Sequence, residues 1–289
     1  MIRSVLFSLL FLSAGAAQAV TPDREVARAL SFGGSCASCE FDGQKLSGVT
    51  FTGGRFSGSS LVGADLREAE LLGVHFGNAD FTRADLRGAS LVGSNFAGAN
   101  FGRAVMTGVE AHGSNFARAN LSSAKLDRAE LHSSNFNGAR LSNTDFSRAE
   151  LHGVNLGNVI APSADFSRAQ LHGANLNGAE FDKASFRNAE LHGSNLAGVR
   201  MNGADLRGAE LHKANLKGAD LSGARNLTQD QLQTACGDAS TRLPKGLTVP
   251  VCSHGRQIIR IIKMPQPPKP PKPPKPLNPA PRNLVALGD

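Results

Sequence analysis

An all-β chain that turns a corner every five residues and closes a coil every twenty is predicted by three features of the sequence. From Phe41 to Leu221 every fifth residue is large and apolar: of 37 such positions 20 are Leu and 13 are Phe, the exceptions being Met106, Ala111, Ala161 and Met201. Two residues before these the chain is nearly always small, with Ala in 22 of the 37 places, and the other columns are mostly polar, charged or Gly. Finally, Ala129-Glu130-Leu131-His132 returns twenty residues later as Ala149-Glu150-Leu151-His152, and again as Ala189-Glu190-Leu191-His192 and Ala209-Glu210-Leu211-His212. An α-helix would smear a five-residue column around its circumference, and a flat strand needs period two. A four-sided coil with five residues per side satisfies both repeats. It turns the large residue and the small one two before it to the inside.

The motif A-[D/N]-[L/F]-x-x, as in Ala64-Asp65-Leu66, Ala99-Asn100-Phe101 and Ala219-Asp220-Leu221, resembles the pentapeptide-repeat family over about 185 of the 289 residues. The resemblance implies a right-handed quadrilateral parallel β-helix of about nine coils. At the inter-strand distance of ~4.8 Å these would rise on the order of 45 Å. Leu and Phe would fill the bore, Ala would let facing walls approach, and Gly would sit at corners that need a permissive backbone. The unit Val159-Ile160-Ala161-Pro162-Ser163 breaks the pattern, because its large residue is Ala and Pro removes a donor; a local bulge or dent is expected there.

In chain order, residues 1–19 read as a secretory signal: Arg3, an apolar run from Val5 to Leu12, and Ala17-Gln18-Ala19 as the cleavage site. Residues 20–35 are then an N-terminal cap segment and 36–225 the β-helix, with Cys36 in a large-residue position and Cys39 in a small one. Thr228-Gln229-Asp230-Gln231 reads as a capping box opening a short helix through Ala235, within a C-terminal cap over 226–252. Both ends of a β-helix expose strand edges, which such segments would cover. Cys36, Cys39, Cys236 and Cys252 are disulfide candidates with three possible connectivities, of which local pairing suits two pairs at opposite ends of a repeat. A redox Cys-x-x-Cys would need a helix N-terminus that the register does not supply. Residues 253–289 form a basic tail, with a possible edge strand at Ile258–Ile262. A disordered Pro-rich stretch follows, in which Lys269, Lys272 and Lys275 align on one face of a polyproline helix.

The net charge of +7 belongs to that tail. Residues 36–227 carry 19 Lys+Arg against 19 Asp+Glu, whereas 228–289 carry 9 against 3. A neutral repeat behind an export signal does not suit nucleic acid, nor the DNA-like shielding of topoisomerases that the resemblance associates with some family members. No nucleophile–base constellation, cofactor motif or phosphate loop is visible, so no enzyme and no cofactor are expected. The expected function is a structural or protein-interaction solenoid of the bacterial periplasm or exterior. Its partner would be a protein or an anionic cell-envelope polymer, and the mature chain would have no membrane span. The most specific surface feature is a histidine column, His112, His132, His152, His172, His192 and His212. It is accompanied by Glu130, Glu150, Glu190 and Glu210, and preceded by Arg128, Arg148, Arg168 and Arg207, which would form opposite-charge ladders with the acids. Stacked imidazoles beside carboxylates could hold a divalent metal or sense acid, so a metal-ion or pH-responsive protein is the alternative reading. Duplication of a twenty-residue unit would also copy the histidines without any ligand.

Overall fold

A computed structural model describes residues 34–252. The expected signal peptide, most of the 20–35 segment, the Ile258–Ile262 strand and the Pro-rich tail lie outside them. From Ser35↔Arg55 to Asp205↔Arg225, every fifth residue pairs in parallel with the residue twenty further on, without a break. Only β1 (Thr50–Thr52) and β2 (Glu70–Leu72) reach three residues, and elsewhere each side of the coil is reduced to one bridged residue. The ladder is made at three points per side, one of them the third turn residue, whose N–H donates to the coil above as Glu68 does to Arg87 O at 3.0 Å. The large residue donates upward, as Leu66 N–H does to Asp85 O at 2.7 Å, and the bridged residue donates downward, as Asp85 N–H does to Ala64 O at 2.9 Å.

Between bridges the chain turns through four residues beginning at the large one, closed for example by Ala69 N–H to Leu66 O at 3.1 Å. The third residue of each turn has positive φ at all 37 positions from Ser38 to Gly218, 20 of them Gly and 17 not. Positive φ confined to that place is the type II arrangement. The second residue's N–H points away from the ladder, and this explains the Asp or Asn of the motif. Its side-chain oxygen accepts that N–H: Asn115 Oδ1 from Ala117 at 3.1 Å, Asp145 Oδ1 from Ser147 at 2.9 Å, Asp165 Oδ1 from Ser167 at 2.8 Å.

The same geometry corrects the expectation of a bulge at Pro162. Ile160 pairs with Arg140 and Glu180 in register, and Ala161 N–H reaches Glu180 O at 2.8 Å as in any other unit. Pro162 occupies the second turn position, which Pro favours and whose N–H the ladder does not use. With no N–H to satisfy, the motif's Asp or Asn is dispensable, and Ile160 stands in its place.

The bore is filled as the columns require. Both the large and the Ala columns are buried, including Met106, Ala111, Ala161 and Met201. Phe rings stack from coil to coil, as in Phe96–Phe116 (5.2 Å, 12°) and Phe166–Phe186 (5.1 Å, 5°). Ser at the small position is tolerated because its hydroxyl donates to a carbonyl of the coil below, Ser114 to Leu91 O at 2.6 Å and Thr144 to Leu121 O at 2.8 Å. Among the described residues no buried side-chain polar atom lacks a partner.

Past Arg225 the step of twenty changes. The helix expected through Ala235 is shorter, α1 (Gln229–Leu232). The chain must leave it early for Cys236 to rejoin the ladder, N–H to Ala214 O at 3.0 Å. Gln231 fastens the helix: its Oε1 accepts Thr228 N–H at 2.8 Å while its amide donates to Leu206 O and Ala209 O at 2.8 and 2.7 Å. Cys252 N–H then donates to Gly237 O at 2.9 Å, so parts of 226–252 continue the ladder. Cys236 is paired with Cys252 (Cα–Cα 4.7 Å), and at the other end Cys36 with Cys39 (Cα–Cα 5.7 Å). Cys39 is buried and Cys36 is half-buried against the first coil.

Asp205 ties the closing segment to the repeat. Burial would raise its carboxyl, but Asn226 Nδ2 (2.8 Å), Arg187 Nε (2.6 Å) and the Arg207 N–H (3.1 Å) outweigh that and bring it to about 2. A carboxyl held below its usual 3.8 contributes stability above that value and loses it as pH falls towards about 2. Asp205→Asn is therefore expected to cost about 1–3 kcal/mol at neutral pH. Its unfolding curve should converge on the unsubstituted protein's between pH 4 and 2. A second expectation concerns the strained corners. Arg148 has φ 60°, so Arg148→Gly should raise stability by about 1 kcal/mol in chemical unfolding, where a surface change of no conformational consequence would leave it unaltered.

Candidate functional site

The six histidines follow core residues and occupy second positions of turns, so each ring leaves the coil at a corner with its Cβ directed outward. Successive rings lie one coil apart. Centroid separations are 4.8 Å for His112–His132, 4.9 Å for His132–His152, 5.0 Å for His152–His172, 4.9 Å for His172–His192 and 6.0 Å for His192–His212. The first two pairs are nearly parallel (5° and 14°), whereas the later ones are tilted by 50°, 52° and 71°.

The glutamates track this difference. Each Glu sits two residues before a histidine and reaches the histidine of the coil below. Nε2–Oε2 distances are 3.4 Å for His112–Glu130, 3.2 Å for His132–Glu150, 2.6 Å for His172–Glu190 and 2.5 Å for His192–Glu210. The two short ones are hydrogen bonds, and they fall on His172 and His192, where the rings are tilted. The acid column is interrupted once, since Gln170 stands where the partner of His152 would be. Donor atoms of His132, Glu150 and His152 lie within 4.8 Å of one another, and all three residues are half-buried.

The expected Arg–Glu ladder does not form. Arg128, Arg148 and Arg168 have no carboxylate partner among the described residues, because the glutamates lean the other way, towards imidazole. The arginine pairs are elsewhere. Arg67–Asp65 and Arg87–Asp85 are bidentate within one unit, and each arginine holds its neighbouring carboxyl below the usual range. Arg187–Asp205 and Arg200–Glu180 span coils.

A second column was not singled out from the sequence. Asn95, Asn115, Asn135, Asn155, Asn175, Asn195 and Asn215 form an amide ladder in which each Nδ2 donates to the Oδ1 of the coil below at 3.0–3.3 Å. Each Oδ1 also accepts the N–H two residues on, so the ladder serves the turns and the stack together. The signal was present: Asn recurs every twenty residues over seven coils, longer than the histidine run. An open trough lies over this face, lined by Asn78, Gly98, Arg118, Asn135, Asn137 and Asn155. No helix among the described residues is long and apolar enough to cross a membrane.

Family models described as a pentapeptide repeat region and as pentapeptide repeats match residues 79–156 and residues 45–83, 59–96, 164–203 and 189–225. Among solved structures, the chain is similar to HetL, a pentapeptide repeat protein involved in heterocyst differentiation regulation in the cyanobacterium Nostoc sp. strain PCC 7120. The identity is 29%, with 75% of this chain and 92% of that one covered and a TM-score of 0.63. QnrB1, a plasmid-mediated fluoroquinolone resistance protein, is 19% identical over 71% of this chain and 92% of that one, with a TM-score of 0.36. A pentapeptide repeat protein of the Arabidopsis thaliana thylakoid lumen is 25% identical over 42% and 71%, with a TM-score of 0.20. No curated protein matches the sequence.

The two columns should respond differently to substitution. Asn155→Ala removes links to Asn135, Asn175 and the Gly157 N–H, and is expected to cost about 1–2 kcal/mol in chemical unfolding. His152→Asn, which removes no hydrogen bond, should stay within about 0.5 kcal/mol.

Proposed function

The chain belongs to the pentapeptide-repeat family, with the right-handed quadrilateral β-helix of that family, and from this premise we propose that it is a non-enzymatic interaction solenoid. It acts outside the cytoplasm, presenting flat, preformed faces to a partner protein. One observation carries this reading: the polar side chains of the described residues recur by column, many of them bonded to the coil above or below as in the Asn ladder, rather than converging on an enclosed cavity. Side chains held by their neighbours above and below lose little freedom on docking, which favours binding by a rigid face. The balanced charge of 36–227 suits a mixed polar interface rather than a polyanion. HetL, similar over 92% of its length, is named for involvement in a regulatory process, which accords with a non-catalytic role.

Export rests on the signal-like residues 1–19 with Ala17-Gln18-Ala19, and on cysteines paired as in an oxidising compartment. The closing segment 226–252 serves as the C-terminal cap of a helix of about nine coils. The basic stretch with Lys269, Lys272 and Lys275 would contact anionic envelope polymers.

Fractionation followed by N-terminal sequencing is expected to find a mature chain beginning at Val20 in the periplasm or medium. Cross-linking in intact cells should then join that chain to one recurrent protein. A cytoplasmic chain retaining Met1 would refute export, and a chain that stays monomeric and partner-free under cross-linking would refute the interaction role.

A further inference from the structure

We propose that His132, Glu150 and His152 form a site for a divalent first-row transition metal such as Zn²⁺, Cu²⁺ or Ni²⁺. Two imidazoles and one carboxylate from adjacent coils place their donor atoms within 4.8 Å of one another. Metal–ligand bonds of ~2.0–2.1 Å put tetrahedral donors about 3.4 Å apart, so the set must contract by roughly an ångström. These corner side chains can supply that by rotation, since the imidazole and carboxylate of the His132–Glu150 pair are 31% and 43% exposed. Three protein ligands leave further positions to water, and the imidazole-rich set favours Zn²⁺, Cu²⁺ and Ni²⁺ over Mg²⁺ or Ca²⁺.

The rest of the column is less suited, for a reason visible in the sequence. His172 and His192 each give Nε2 to a carboxylate at 2.6 and 2.5 Å, and their rings are turned away from the neighbouring imidazoles. Gln170 leaves His152 without such a carboxylate, while its ring still lies nearly parallel to His132 at 4.9 Å. Glu150 is committed only to His132, through the loose 3.2 Å contact, and not to Arg148 two residues before it. The four cysteines are paired and do not compete as thiolates.

The test is calorimetric titration of the tag-free, chelator-stripped full chain with Zn²⁺ at neutral pH, beside His152→Asn, Glu150→Gln and His192→Asn, with circular dichroism confirming that each variant keeps the fold. One equivalent is expected to bind the unsubstituted protein. His152→Asn and Glu150→Gln should each weaken it by roughly tenfold or more, and His192→Asn should change it by less than about twofold. No saturable binding overturns the proposal. So does equal weakening by His152→Asn and His192→Asn, which would mark a diffuse surface column, and so does binding that none of the three alters.

Discussion

A parallel ladder with a step of twenty residues places every side chain directly above the one a coil earlier, and most properties of this protein follow from what each residue type does when stacked on its own kind. Phe on Phe gains buried contact area at ring separations near 5 Å. Asn on Asn gains a hydrogen bond at every step, because one amide both donates and accepts. His on His is ambivalent: neutral rings stack, protonated rings repel, and the carboxylates between them set which arrangement holds at each coil. Arg on Arg, as at 128, 148 and 168, only repels, and it is borne where solvent screens the charges.

The same regularity carries local strain. Seventeen of the 37 corner residues adopt positive φ without being Gly, among them Glu68, Arg103 and Lys183. Such residues cost of order a kilocalorie each in isolation. Here most corners are held by a closed turn, by bonds to neighbouring coils, and in many units by an Asp or Asn acceptor. The cost is spread along a stack in which no coil folds alone. This is also why the motif asks for Asp or Asn: a short side chain with an oxygen at the right reach for the turn's second N–H.

Much of this was legible in the sequence, because a column of 37 positions leaves one way for Leu, Phe and Ala to face. The six histidines were placed on one edge correctly for the same reason. What was not legible depended on contacts made in the folded coil rather than on residue type at one position. Pro162 and Ile160 each depart from the motif but agree with one another, because a second turn residue without an N–H makes the acceptor unnecessary. The glutamates are expected to form ladders with the Arg column, but they reach the imidazole of the coil below instead. The Asn ladder shows in the sequence as recurrence alone, and polar recurrence at a β surface is equally what solubility requires. Helix α1 was overextended because the return of Cys236 to the ladder is a tertiary demand that local propensity does not contain.

The fixed step also limits how such a chain can change in length. Losing or gaining one residue within 36–225 would turn every later Leu and Phe out of the bore; among the described residues the pairing step departs from twenty only past Arg225, where Asn215 pairs with Cys236 and Asp220 with Arg242. A five-residue insertion would preserve the core but carry everything after it round by a quarter turn. The upper histidines would then stand on a different edge from the lower ones, and His132 and His152 could be parted by a single event between them. Twenty residues can be added with every edge kept intact. A protein whose binding surface is an edge of stacked identical residues therefore lengthens by whole coils, and the repeated Ala-Glu-Leu-His blocks have the form such growth would leave.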